Sequence, residues 1–142
     1  MIIAVIGQDG YPTDMRAIEN LAHAIEGIIK DNEDCTFYYG FAEDYSKLCN
    51  DIVRGLQKTY ACVQRVFVAP YDGFRLQDDF DAVIVPPICQ SADIKHSINL
   101  RNKWMVEHAD GRLCFACWHD GDTILYEHRL VAKGKQIELK VL

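Results

Sequence analysis

At 142 residues and 16.2 kDa the chain has room for one domain and one good core. With 49% hydrophobic and 25% charged residues it has the balance of a globular protein, and no apolar run approaches the roughly 20 residues needed to span a bilayer. A formal net charge of −6 argues against nonspecific attachment to nucleic acid or anionic membrane.

In chain order, Met1-Ile2-Ile3-Ala4-Val5-Ile6 is an apolar run ended by Gly7. It lacks the basic flank and small-residue cleavage site of a signal peptide, so it reads as a strand, Ile2–Ile6, of a cytoplasmic protein. Next, Ile18, Leu21, Ala22, Ile25, Ile28 and Ile29 recur at three- and four-residue steps, one apolar face of a helix. Pro12, Thr13 and Asp14 supply its start signals, and Lys30 suits its C-terminal end. A strand over Thr36–Tyr39 follows. A second helix then carries Tyr45, Leu48, Cys49, Ile52, Val53 and Leu56 on one stripe, with Glu43 and Asp44 in its first turn. Val63–Ala69 and Ala82–Val85 are strand candidates, separated by an irregular stretch from Pro70 to Asp81. A third helix is expected from about Ile94 to His108, with Ile98, Trp104 and Met105 as anchors and with Arg101 and Asn102 early in it. Strands over Leu113–Trp118 and Gln136–Val141 flank a last helix from about Thr123 to Ala132.

Short β-rich runs alternating with helix-period segments form βαβ units around a parallel sheet. Several strands are apolar at consecutive positions, as expected when helices cover both sheet faces. The fold class is therefore α/β: a single Rossmann-like three-layer domain over residues 1–142, with a mostly parallel sheet flanked by helices.

Six cysteines raise a disulfide or metal reading. Cys114-Phe115-Ala116-Cys117 has C-x-x-C spacing, but on a strand positions three apart point to opposite faces. No second C-x-x-C completes a zinc site. The thiols are expected to be small buried hydrophobes, with no metal and no cofactor. His108, His119 and His128 could titrate near neutrality, but no spacing links any of them to a nucleophile, and no catalytic set emerges.

In a parallel sheet all strand C-terminal ends face one way, and the loops there form one crest. Those loops are Gly7-Gln8-Asp9-Gly10, Gly40 to Asp44, Pro70-Tyr71-Asp72-Gly73, Pro86-Pro87 and His119-Asp120-Gly121-Asp122-Thr123. Glycines recur just after the strands, where a ligand or a tight turn needs close backbone approach. The acidic crest could also hold a divalent cation, accept hydrogen bonds from ribose hydroxyls, or be an ordinary solvated rim.

The segment Arg101-Asn102-Lys103-Trp104-Met105-Val106-Glu107-His108-Ala109-Asp110 resembles the R-N-x-x-M-V-x-x-[SA]-D stretch of YpsA-like proteins in the SLOG superfamily. That superfamily includes the DNA-processing protein DprA and the LOG phosphoribohydrolases. The resemblance continues through Trp118, Gly121, Thr123, Ala132, Lys133, Gly134 and Lys135, and upstream through Ile6-Gly7, Gly40 and Pro70. It implies a Rossmann-like fold, self-association as a homo-oligomer, and a site for a nucleotide or nucleotide-derived small molecule. The crest loops and the resemblance together give the candidate ligand-binding residues Gly7, Gln8, Asp9, Gly40, Asp44, Tyr71, Arg101, Asn102, Gly121, Asp122 and Thr123.

The resemblance has departures. LOG enzymes hydrolyse an N-glycosidic bond with a P-G-G-x-G-T-x-x-E motif that this chain lacks. Gly121-Asp122-Thr123 stands where relatives have Gly-Gly-Thr, and Glu127 follows Thr123 by four residues instead of three. Gln8-Asp9 stands where relatives carry His-Arg, and Glu43 replaces a later glycine. Carboxylates at Asp9, Glu43, Asp44 and Asp122 work against a phosphate, which favours free backbone N–H groups and positive charge. The leading expectation is a binding or sensing module for a nucleotide-like molecule. Its rivals are an N-glycosidic hydrolase of LOG type and a DprA-like partner of single-stranded DNA, against which the acidic balance counts.

Overall fold

The computed structural model describes residues 1–7, 11–40, 44–76, 78–114 and 138–140. Its elements in chain order are β1 (Ile2–Ile6), α1 (Met15–Asp31), β2 (Cys35–Tyr39), α2 (Asp44–Leu56) and β3 (Val63–Val68). They continue with β4 (Ala82–Ile84), α3 (Pro87–Gln90), α4 (Ile94–His108), β5 (Gly111–Cys114) and β6 (Glu138–Lys140). The strands form one sheet in the order β4-β3-β2-β1-β5-β6, and every adjacent pair is parallel. The fold is Rossmann-like α/β.

Alternation along β1 shows why both faces must be covered. Ile3 and Val5 pack with Leu21, Ile25 and Val53 from α1 and α2, while Ala4 and Ile6 pack with Met105, Val106 and Ala109 from the α4 side. A strand buried on both faces reads as a continuous apolar run, which is what Ile2–Ile6 is. Helix α1 begins where the sequence signals it: the Asp14 side chain accepts a hydrogen bond from the Ala17 N–H at 3.0 Å. At the other end the Asn32 N–H closes on the Ile29 carbonyl.

From β1 the chain adds β2, β3 and β4 on one side, then crosses back through α4 to place β5 on β1's other edge. The strand order therefore reverses between β1 and β5, the position where sheets of this type open a crevice at their carboxyl ends. Two reciprocal contacts fix that crossing. The Ile2 N–H donates to Asp110 Oδ2 at 2.8 Å, and the Asp110 N–H donates to the Ile2 carbonyl at 2.7 Å.

Three expectations need correction. Arg101 and Asn102 lie in the middle of α4, not early in it. Ile98 is not an anchor: it is exposed, and α4 buries Ser97, Arg101, Asn102, Met105 and Val106 instead. Pro86-Pro87 is not a plain crest loop, because Pro86 caps the short helix α3 and Pro87 is its first residue. The last predicted helix, from about Thr123 to Ala132, and the C-terminal part of the strand expected to reach Trp118 lie outside the described residues.

Candidate functional site

The crest is built where β1, β2 and β3 end. Gly7 follows β1 directly, and a Cβ placed there would lie 2.1 Å from Cδ1 of Tyr45. Tyr45 is fully buried near the start of α2, and its ring packs at 5.2 Å against Tyr11. Tyr11 is in turn held by a hydrogen bond from its hydroxyl to the Ala17 carbonyl. The close approach that the glycine signalled is thus made by the protein's own aromatic side chain.

Gly40 follows β2 directly. A Cβ there would meet Cδ and Nε of Arg101 at 3.1 Å and Cζ at 3.2 Å. Arg101 is 4% exposed. Its guanidinium donates through Nε to Asn102 Oδ1 at 2.6 Å and through Nη1 to the carbonyl of Val68, the last residue of β3, at 2.9 Å. So Arg101 carries a positive charge from α4 across the carboxyl ends of β2 and β3. Asn102 orients the guanidinium and is itself buried.

Of the remaining expected site residues, Asp44 is exposed as the first residue of α2. Tyr71 is half-buried after β3, its ring edge-on to Phe74 at 5.5 Å. The structure therefore brings Gly40, Arg101 and Asn102 into one contact group. Gly7 sits at the end of the neighbouring strand against Tyr45, and Tyr71 belongs to the loop beyond β3. Gln8, Asp9, Gly121, Asp122 and Thr123 lie outside the described residues.

A second polar assembly, which the sequence did not announce, ties α2 and β3 to the 70–81 loop. Arg65 points from β3 into the α2 side of the core and is 4% exposed. It donates to Gln57 Oε1 at 2.8 Å, to Asn50 Oδ1 at 3.1 Å and to the Asp79 carbonyl at 2.8 Å. Its backbone N–H donates to Asp81 Oδ2 at 2.7 Å. Asn50, also buried, donates to Asp78 Oδ2 at 2.7 Å. Arg54 binds Asp78 at 2.7 Å and also pairs with Asp79. Burial would raise the Asp78 carboxyl, but hydrogen bonds from Asn50, the Asp79 N–H and Arg54 outweigh it and hold it below its ordinary value.

Cys35, Cys49 and Cys89 are buried cysteines outside any disulfide, and Cys62 is an exposed one. Burial pushes the Cys35 and Cys89 thiols up, away from the reactive thiolate. Among the described residues no group of three or more His, Cys, Asp or Glu side chains is placed to hold a metal ion. His108 stacks on Trp104 with centroids 4.1 Å apart, and its Nδ1 lies 2.8 Å from the Trp104 carbonyl. That explains it as a helix-end packing residue. No family model matches the chain, and no curated protein does. The reading of the site therefore rests on its own chemistry.

Proposed function

We propose that the chain is a SLOG-like binding module that recognises a nucleotide or nucleotide-derived small molecule at the carboxyl-end crest, as a sensor or accessory protein. The observation that carries this reading is the guanidinium of Arg101, buried at the ends of two parallel strands beside Gly40. Guanidinium recognises phosphate and carboxylate oxygens through paired N–H donors. It lies at the carboxyl ends of β2 and β3, the side of the sheet on which open α/β folds bind ligands, next to β1 and not at the β1–β5 reversal itself. The Arg-Asn-x-x-Met-Val resemblance supports the same assignment, since it includes Arg101 and Asn102. Hydrolysis at an N-glycosidic bond is the lesser reading, because the P-G-G-x-G-T-x-x-E motif is missing.

Titration calorimetry with a panel of adenine nucleotides tests the proposal on the wild type and on Arg101→Ala and Asp122→Gly, with melting curves to confirm that each variant folds. Loss of Arg101 should weaken an anionic ligand by about tenfold or more, the order of one charge-assisted hydrogen bond. Asp122→Gly should strengthen phosphate binding by removing a negative charge and freeing backbone approach. A ligand bound by the wild type with the same affinity in both variants would move the site elsewhere.

A further inference from the structure

Two Asp-Gly pairs, Asp72-Gly73 and Asp110-Gly111, stand among the described residues, while Asp9-Gly10 and Asp120-Gly121 lie outside them. In such a pair the backbone nitrogen of the glycine is close to the side-chain carboxyl carbon of the aspartate, and no Cβ hinders its approach. Whether the two atoms meet depends on how firmly the fold holds both residues.

Asp110-Gly111 is held. Asp110 Oδ2 accepts from the Ile2 N–H at 2.8 Å, and the Asp110 N–H donates to the Ile2 carbonyl at 2.7 Å. Gly111 opens β5, is buried, and pairs with Ile3 of β1. Turning the Asp110 carboxyl toward the Gly111 nitrogen would break the Ile2 contact and lift the start of β5 from the sheet.

Asp72-Gly73 has none of these restraints. Both residues are exposed in the loop after β3, and neither the Asp72 carboxylate nor the Gly73 N–H makes a hydrogen bond among the described residues. The turn is closed by one long contact, from the Phe74 N–H to the Tyr71 carbonyl at 3.4 Å. Gly73 has a φ of +80°, and a Cβ placed there would meet nothing within 4 Å. Glycine is needed here for its backbone angle and not for a close neighbour, so the turn can rotate without displacing packed atoms.

We infer that Asp72 is a site of spontaneous isoaspartate formation. The Gly73 nitrogen attacks the side-chain carboxyl carbon of Asp72 in its acid form. A C–N bond forms, the carboxyl hydroxyl leaves with the nitrogen's proton as water, and a five-membered cyclic imide results. A second water opens the ring at either carbonyl. Opening at the backbone carbonyl leaves the chain running through the side chain, with a free α-carboxylate. No electrons are exchanged, and the water lost in the first step is regained in the second. The product is the chemical class of carboxylate that a methyltransferase using S-adenosylmethionine can esterify and so return to the imide.

The consequence falls on the loop. The extra backbone carbon enters the turn between Tyr71 and Phe74, whose rings meet edge-on at 5.5 Å, and Phe74 in turn stacks on Phe67 of β3 at 5.5 Å. Isomerisation therefore loosens the aromatic anchor of the loop and leaves the Arg65 anchor in place. The inference is independent of the crest reading, since it involves no ligand.

The test incubates the whole chain at neutral pH and body temperature, with samples taken over weeks. Peptide mapping with electron-transfer fragmentation reads isoaspartate at each position, and a labelled methyl group transferred by an isoaspartyl carboxyl methyltransferase counts it peptide by peptide. Isoaspartate should form at position 72 about tenfold faster than at 110, or more, because a residue locked in the sheet reacts only through openings that cost free energy. In concentrated guanidinium chloride the two positions should react at similar rates, which assigns the difference to the fold. Asp72→Glu keeps the charge but would need a six-membered ring, so it should remove the signal from that peptide while the melting curve stays as in wild type. Equal or faster reaction at 110 in the folded chain would overturn the inference. So would an Asp72 peptide that stays unmodified in the folded chain but reacts in denaturant.

Discussion

Gly7 and Gly40 occupy equivalent places, one residue beyond β1 and one beyond β2, yet they are glycine for different neighbours. At Gly7 the obstacle is the ring and Cβ of Tyr45, fully buried and braced by Tyr11, so it cannot yield without moving α2. At Gly40 it is the stem and guanidinium of Arg101, which a few tenths of an ångström would relieve. Gly7→Ala should therefore cost about 1–3 kcal/mol by overpacking. Gly40→Ala should cost less and act mainly by displacing Arg101. Denaturant unfolding of both variants checks the order, and a Gly40→Ala penalty exceeding that of Gly7→Ala would refute it.

At the scale of elements, the Arg65 assembly explains why a long loop without regular structure holds a defined position. The 70–81 loop returns its carboxylates and an Asp79 carbonyl to side chains of α2 and to β3. Asp78 stands below its ordinary value of 3.8, so the native state favours its charged form. Its stabilising contribution is present above 3.8 and is lost as pH falls through the lowered value. Asp78→Asn should then destabilise the protein near pH 7, and the difference from wild type should shrink steadily in acid. Urea unfolding at a series of pH values measures this. A difference that stays constant down to about pH 3 would mean that Asp78 contributes through shape and not charge.

Much of this level was legible beforehand, and the omissions have physical causes. Ile2–Ile6 and Ile94–His108 are bounded in the structure as read from the sequence, the strand because its apolar run ends at Gly7; along α4 the apolar period is weak, which is why Ile98 was misplaced as an anchor. Helix α3 escaped notice because four residues after Pro86 carry no period. The arginine in Val63–Val68 was visible as a charge in an apolar run, but periodicity cannot say which carboxylates meet it. The acidic stretch Asp78-Asp79-Phe80-Asp81 was the available signal, and it lay in a segment read only as irregular. At the crest, parallel-sheet topology anticipated that Gly40 and Arg101 meet, although Arg101 comes from the middle of α4 and not from its start. Topology could not tell that the space beside each glycine is taken by the protein itself.

For the whole molecule, the expectation of self-association meets a surface on which Ile88, Ile94 and Ile98 are exposed. Ile94 and Ile98 are one turn apart on α4, exposed apolar side chains favour association where they adjoin, and twofold dimers dominate soluble homo-oligomers. Sedimentation equilibrium at micromolar concentration and above should give twice 16.2 kDa, and a monomer throughout that range would exclude the dimer.

The paired contacts between Ile2 and Asp110 bridge 108 residues of chain. They join the central strand to the arm that arrives after α4. In kinetic terms such a closure is expensive, because the intervening chain must surrender its freedom before β5 gains anything from docking. β1, α1, β2, α2 and β3 contact one another over shorter spans and can condense first. The exposed second edge of β1 then waits for its partner. Until β5 pairs, that edge of the apolar strand β1 is a row of unpaired backbone groups of the kind that joins another chain, so the closure made by Ile2 and Asp110 guards the sheet's aggregation-prone edge.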